Sequence, residues 1–389
     1  MTALLPHVDP GGLLEYSVVF TDRSLNHMSQ AFQDVMRDIS RTLRRAYNLD
    51  DAGGVAVVPG GGSYAMEAVA RQLDHGKKVL VIRNGWFSYR WTQIFEAGAI
   101  PAESRVLKAR RAASSPEVDE RRRPFEPVPI EEAVAVIEAE RPDLVFAPHV
   151  ETASGMILPD GYMKAIADAV HRGGGLFALD CIASGGAWVD MQATGVDVLI
   201  SAPQKGWSAS PCSGLVLLSE AAKTAVKASA SSSFVCDLKK WLEIMEAYEK
   251  GGHAYHATMP TDALRGFRDA MLETEATGFA KVKAAQFELG ERVRRLLAQR
   301  GFAGVAAEGF AAPGVVVCYT EDPGIKSGAK FLAAGLQTAA GVPLMCDEGA
   351  DFQTFRIGLF GLDKLADMDG TVDRLEKALD QVLGTANVR

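Results

Sequence analysis

Five short runs of unbroken apolar residues punctuate the first half of this chain: Val55 to Val58, Val79 to Ile82, Leu144 to Ala147, Leu176 to Leu179 and Val198 to Ile200. A strand with one wet face alternates apolar and polar side chains, whereas a strand apolar throughout has to be covered on both faces. Helical patterns lie between the runs, over Ser63 to Leu73, Ile130 to Glu140 and Asp160 to Arg172. The last has Asp160 as its expected N-cap and Gly173 to Gly175 as its stop. Doubly covered strands separated by helices predict an α/β fold with a mostly parallel sheet. Ligands in such sheets bind beyond the carboxyl ends of the strands. The polar residues that follow each run are therefore the first candidates for chemistry.

Ahead of the first run, Met28, Phe32, Val35, Met36, Ile39, Leu43 and Tyr47 recur at three-and-four spacing. That pattern predicts an amphipathic helix with Arg37, Arg41 and Arg44 toward solvent. Residues 108–123 (KARRAASSPEVDERRR) carry no apolar period and read as a solvated surface loop. Helical pattern fills Pro260 to Arg300. Strands at Val315 to Tyr319 and Phe355 to Leu359, a helix near Lys330 and a last helix from about Met368 complete the chain. The change of rhythm near residue 275 predicts an N-terminal segment (1–25), a large domain (26–275) and a small C-terminal domain (276–389).

Lys and Arg total 41 against 49 Asp and Glu, a net charge of −8, which argues against a nucleic-acid partner. No run approaches the ~20 apolar residues of a membrane span. The start, MTALLPHVDPGG, has neither a basic end nor a long apolar stretch, so a soluble cytoplasmic protein is expected. The five cysteines (Cys181, Cys212, Cys236, Cys318 and Cys346) form no CxxC pair and read as reduced core thiols. There is no HExxH, and His253 and His256 lack a cysteine or acidic cluster, so no metal site is expected.

Four separated features describe one kind of ligand, a phosphorylated aromatic cation held covalently by a lysine. Gly60-Gly61-Gly62-Ser63 follows a strand and opens a helix, where free backbone N–H groups suit an anion; alone, the same sequence is compatible with a plain turn. It is neither a Walker loop nor a dinucleotide GxGxxG. Asp180 ends a buried strand and needs a cation or capping amides; a protonated pyridine nitrogen would serve as the cation. Lys205, in Ser-Ala-Pro-Gln-Lys-Gly-Trp, lies among small and apolar residues that lower an amine's pKa toward Schiff-base chemistry. Arg356, flanked by apolar residues on a late strand, needs an anion: a substrate carboxylate in two parallel hydrogen bonds, or an internal acid.

The ordered set GGGSYAMEA, NGWF, HVETASG, DCIASGG, SAPQKGW, YHATMP and FRIGLFG, from about residue 55 to the end, resembles the class V aminotransferases, the group containing alanine–glyoxylate and serine–pyruvate aminotransferases. The resemblance implies fold-type-I architecture: a large domain with a mostly parallel seven-stranded sheet between helices, and a smaller C-terminal α+β domain. It also implies pyridoxal 5'-phosphate as cofactor and a homodimer with active sites at the subunit interface. Matched by position, Lys205 resembles the lysine that carries the cofactor and Asp180 the partner of its ring nitrogen. Phe87 and Ile182 fall where the family covers the two ring faces, and Thr152 matches a residue that contacts the phenolic oxygen. Gly61, Gly62, Ser63 and Gln204 match the phosphate cradle. Tyr255 and Thr258 match residues reaching the phosphate of the neighbouring subunit, and Arg356 matches the arginine for the substrate α-carboxylate. Trp86 is expected to pack in the core. The family's usual N-terminal GPGP-type segment is replaced by Asp-Pro-Gly-Gly and Phe-Thr-Asp-Arg-Ser-Leu-Asn-His.

These features predict a ping-pong aminotransferase that moves an amino group from a small amino acid such as alanine or serine to glyoxylate or pyruvate. The alternative with the same cofactor is a lyase of the cysteine desulfurase or kynureninase kind, for which Cys346 is the nearest candidate nucleophile. A non-catalytic binding protein of the same fold is a second alternative, disfavoured by the presence of both Lys205 and Asp180. Arg23, Arg83 and Arg90 are read as surface arginines or internal ion pairs in preference to second anion contacts.

Overall fold

The apolar runs are the interior of one seven-stranded sheet. In the computed structural model, which describes residues 10–113 and 119–384, the sheet comprises β1 (Gly54–Pro59), β2 (Lys78–Arg83), β3 (Glu103–Lys108), β4 (Leu144–Pro148), β5 (Leu176–Asp180), β6 (Val198–Ser201) and β7 (Ser213–Leu218). They pair in the order β1-β7-β6-β5-β4-β2-β3. β7 runs antiparallel to β1 and β6, and every other pair is parallel. β4, β6 and β7 are buried along their whole length, as strands covered on both faces must be.

Two of these strands escaped the sequence reading. β3 is an edge strand whose residues are mostly exposed, so it lacks an apolar run, and charged side chains suit an unpaired edge. β7 is apolar, but it follows the Lys205 loop too closely to stand out as a separate element.

Helices α1 (Gln30–Ala46), α2 (Gly62–Leu73), α4 (Ile130–Glu140) and α5 (Asp160–Arg172) occupy the expected stretches, whereas α3 (Trp86–Gly98) was not foreseen from the sequence. Phe32, Val35, Met36, Ile39 and Leu43 form the buried stripe of α1. Arg37 and Arg41 reach outward to Asp34 and Asp38, but Arg44 folds back on Glu249 and the Gly53 carbonyl. Asp160 is not the N-cap of α5; Pro159 holds that position, and Asp160 lies in the first helical turn, where its charge still favours the helix dipole. Farther along, α6 (Leu238–Glu249) packs on β1. The long helical stretch is divided into α7 (Thr261–Thr277) and α8 (Phe279–Gln299) by Gly278, whose φ of 95° no side chain tolerates well.

A three-stranded antiparallel sheet follows, in the order β8 (Val315–Tyr319), β10 (Thr354–Gly358), β9 (Ala339–Ala340), with α9 (Met368–Val382) closing the chain. A second apolar cluster joins Val150, Ala153 and Ala183 to Val315, Val317 and Leu344, with Trp86, Phe87 and Phe360 packed at its margin. It ties this small sheet to the loops at the ends of β4 and β5.

The charged stretch 108–123 is not simply a solvated loop. Lys108 ends β3, and Arg110–Arg111 pairs antiparallel with Phe125–Glu126 while Arg111 stacks over the buried Phe125 ring. The centre of that stretch, the first nine residues and the tail TANVR lie outside the described residues. All five cysteines are buried and free. Among the described residues no helix is long and apolar enough to cross a membrane.

Candidate active site

The carboxyl ends of β2, β4, β5 and β6 and the turn after β1 open onto one cleft. It gathers Gly62, Ser63, Phe87, Thr152, Asp180, Ile182, Gln204 and Lys205, all singled out from sequence, and adds Arg90, Val150 and Ala183.

Asp180 is the last residue of β5 and is buried. One carboxylate oxygen accepts the Ile182 N–H at 2.9 Å, and the other accepts no hydrogen bond from a described residue. Burial pushes its pKa up to about 6; the nearby Glu151 charge adds to this, while Arg90 and Lys205 oppose it. A buried carboxylate left half-satisfied in this way costs stability unless a cation meets it.

Lys205 projects from the loop after β6. Trp207, two residues on, is fully buried among Tyr47, Trp188, Phe267 and Phe279, with ring centroids 4.6 Å apart for Trp188 and Trp207. The intervening Gly206 passes so close to Gly185 that a Cβ there would lie 2.2 Å from the Gly185 carbonyl oxygen. These contacts fix the root of the lysine. Its Nζ has no hydrogen-bond or ion-pair partner among the described residues and stands 5.0 Å above the Phe360 ring. Burial lowers its pKa, Arg356 and Arg90 act in the same direction, and Asp180 partly opposes them. An amine deprotonated more readily than usual is a competent nucleophile and base.

At the turn after β1, Gly61 caps α2 without a side-chain bond. The backbone N–H groups of Gly61, Gly62 and Ser63 donate to no described residue, as expected of donors at a helix start. A Cβ on Gly62 would sit 2.4 Å from Ile182 Cδ1, so any larger residue there would have to push the Ile182 side chain aside.

Phe87 opens α3, and its position depends on a residue the sequence reading passed over. Glu151 is fully buried; it accepts the N–H groups of Phe87, Ser88 and Ala153 and the Ser88 hydroxyl at 2.8 to 3.2 Å. It thereby caps α3 from 64 residues away and locks Phe87 and the neighbouring Thr152 together. The signal was the unexplained acid beside Thr152 in His-Val-Glu-Thr. Phe360 was likewise missed, because an aromatic residue in Phe-Arg-Ile-Gly-Leu-Phe-Gly reads as core. Trp86 is half-buried beside Tyr89, at the margin of the second apolar cluster.

Arg356, on β10, stands beside the cleft with its guanidinium carbon 5.6 Å from the Phe87 ring centroid. Its Nε donates to the Ala340 carbonyl at 2.8 Å, and no carboxylate pairs with it among the described residues. Tyr255 and Thr258 do not line the cleft; both are exposed and share a 3.1 Å hydroxyl contact. Cys346 is buried, donates toward the Arg83 and Leu344 carbonyls, and has its pKa pushed up to about 12 by burial, the opposite of a reactive thiol. Arg83 is buried and stacks on Tyr89, and among the described residues it pairs with no carboxylate. Arg90 is in the cleft, not on the surface.

The architecture is that of the fold-type-I transferases. Alanine–glyoxylate aminotransferase from Nostoc sp. superposes with a TM-score of 0.76 at 22% identity, over 92% of this chain and 89% of that one. Ureidoglycine–glyoxylate aminotransferase from Bacillus subtilis gives 0.75 at 19%, over 94% and 88%. The family model for aminotransferase class-V matches residues 13–334, and the chain belongs to that family. It is an aminotransferase. In sequence it is 28% identical to 2-aminoethylphosphonate–pyruvate transaminase of Syntrophobacter fumaroxidans over 78% of this chain and 77% of that protein. It is 27% identical to rabbit (Oryctolagus cuniculus) alanine–glyoxylate aminotransferase over 71% and 67%.

Proposed function

We propose that this protein transfers the amino group of a small amino acid of the alanine or serine type to a 2-oxo acid such as glyoxylate or pyruvate, using pyridoxal 5'-phosphate. The observation that carries this is one cleft that holds a half-buried amine, Lys205, a half-satisfied buried carboxylate, Asp180, and a row of N–H donors, the amine and the donors having no partner among the described residues. Those three features fit the amine-reactive aldehyde, the ring nitrogen and the phosphate of that cofactor. The names of the sequence relatives support the acceptor class. The buried, high-pKa thiol of Cys346 speaks against a desulfurase.

When bound, the cofactor supplies an aldehyde that links to amines and a ring that draws electrons from the substrate Cα. Lys205 would hold that aldehyde, and its freed Nζ would serve as the base that moves the substrate Cα proton. Asp180 keeps the ring nitrogen protonated. Phe87 and Ile182, which line the cleft, would cover the cofactor ring and exclude water, and Thr152 would hold its phenolic oxygen. Gly61, Gly62, Ser63 and Gln204 bind the phosphate. Arg356 orients the substrate carboxylate. The exposure of Tyr255 and Thr258 suits a homodimer in which they reach the partner's phosphate. Five buried free thiols suit a cytoplasmic setting. The break at Gly278 supports a large domain over 26–275, after the segment 1–25, and a small one over 276–389.

Adding L-alanine without an acceptor to the cofactor-loaded protein is expected to convert its yellow absorbance band to a shorter-wavelength one, and pyruvate or glyoxylate to restore it. Steady-state data should give parallel double-reciprocal lines. Intersecting lines, or a band that alanine and serine leave unchanged, would overturn the reading.

Arg356→Ala is expected to cost about 2–5 kcal/mol of transition-state binding, a loss of at least roughly 30-fold in kcat/KM. The loss should be shared by all α-carboxylate donors. Unchanged efficiency toward every amino acid would remove Arg356 from the substrate site.

A further inference from the structure

Arg90 lies on α3 one turn beyond Phe87, half-buried in the cleft wall. Its Nη1 donates to Ser63 Oγ at 2.9 Å, and its guanidinium carbon lies 5.2 Å from the Phe87 ring centroid. No carboxylate stands within ion-pair distance among the described residues, so the guanidinium borders the cleft without an ion-pair partner there. Two guanidinium groups thus border the same ring, and their anchoring separates their tasks. Arg356 is tied to the Ala340 carbonyl of the small sheet, whereas Arg90 is tied to Ser63 at the start of α2.

The charges at the turn after β1 require such a cation. A phosphate monoester carries about −1.5 to −2 at neutral pH. The start of a helix offers only about +0.5, and Gly61, Gly62 and Ser63 add neutral donors. An anion that takes the Ser63 N–H and hydroxyl comes within reach of the guanidinium bonded to that same hydroxyl, and a guanidinium fork suits phosphate oxygens.

We propose that Arg90 is the fixed cation of the phosphate cradle, binding the cofactor's phosphate through the space beside Ser63. The inference rests on the cofactor reading above and assigns to phosphate binding a residue that the sequence alone suggests is a surface arginine or half of an internal ion pair.

The test compares two ligands that differ only at that group. Cofactor-free wild type, Arg90→Met and Arg90→Lys are each titrated with pyridoxal 5'-phosphate and with pyridoxal, and binding is read from tryptophan fluorescence and the yellow band. Arg90→Met is expected to weaken pyridoxal 5'-phosphate roughly 10- to 100-fold while changing pyridoxal by less than about threefold, and Arg90→Lys to fall between. Pyridoxal binding also reports an intact site in each variant. Equal weakening of both ligands would make Arg90 a brace for Ser63 and Phe87 and overturn the proposal, as would no weakening of either. A rise in KM for the amino donor with unchanged cofactor affinity would overturn it in favour of a substrate contact. Failure of wild type to bind either ligand would instead overturn the cofactor reading, and Arg90's assignment with it.

Discussion

Lys205→Ala is expected to lower transamination by roughly 10⁴-fold, the upper end of what a positioned proton-transfer group contributes. Two losses combine. The amine that holds the cofactor aldehyde disappears, and so does the group that moves the proton between Cα and C4'. Among the described residues nothing in the cleft replaces it. Glu151 is committed to three N–H groups and a hydroxyl, and Asp180 faces the ring nitrogen in the proposed scheme. The fold should survive, because Trp207 and the Gly206–Gly185 approach hold the loop independently of the lysine side chain. Absorbance and circular dichroism of the purified variant separate the cases. A folded protein without the yellow lysine-bound band and without turnover matches the expectation; retention of more than about a tenth of the activity would exclude Lys205 as the base.

What the sequence made legible follows from burial. A carboxylate or lysine at the end of an unbroken apolar run is conspicuous because water cannot satisfy it, and Asp180 and Lys205 stood out for that reason. Gly62 was visible as part of a turn, though its closeness to Ile182 needs coordinates. Glu151 and Phe360 were hidden because their roles are long-range: one caps a helix from 64 residues away, the other supports a lysine from another sheet. Arg90 illustrates the same limit. On a helix seen alone, an arginine three residues past a phenylalanine reads as solvated, and only the approach of α2 to α3 turns it toward Ser63. The edge strand β3 was lost because exposure erased its apolar pattern. The antiparallel direction of β7 depends on which strands it joins, not on its own composition.

Asp180→Asn is expected to act in opposite directions on catalysis and on the stability of the cofactor-free protein. Catalysis should fall by about 10²–10³-fold in kcat, the usual loss when one preorganised electrostatic contact is removed, because a neutral amide no longer holds the ring nitrogen protonated. For stability the sign follows from protonation. Burial raises the Asp180 pKa to about 6 in the folded chain, from 3.8 for an ordinary aspartate. Between those values the folded state binds more protons than the unfolded one, so this group's contribution declines as pH rises. It is fully present below about 4 and lost above about 6, a difference on the order of 3 kcal/mol. Asparagine escapes that loss, since its amide is neutral at every pH and its oxygen can still accept the Ile182 N–H. The cofactor-free variant should therefore melt above wild type at pH 8 and close to it at pH 4.5. Cofactor binding should shrink or reverse the gap, because the protonated ring offsets the buried charge in wild type alone. Melting curves of both proteins, with and without pyridoxal 5'-phosphate at the two pH values, decide the matter. A variant less stable than wild type at pH 8 without cofactor would mean that the Asp180 carboxylate is already compensated within the protein, and the case for its pairing with a ligand cation would fail.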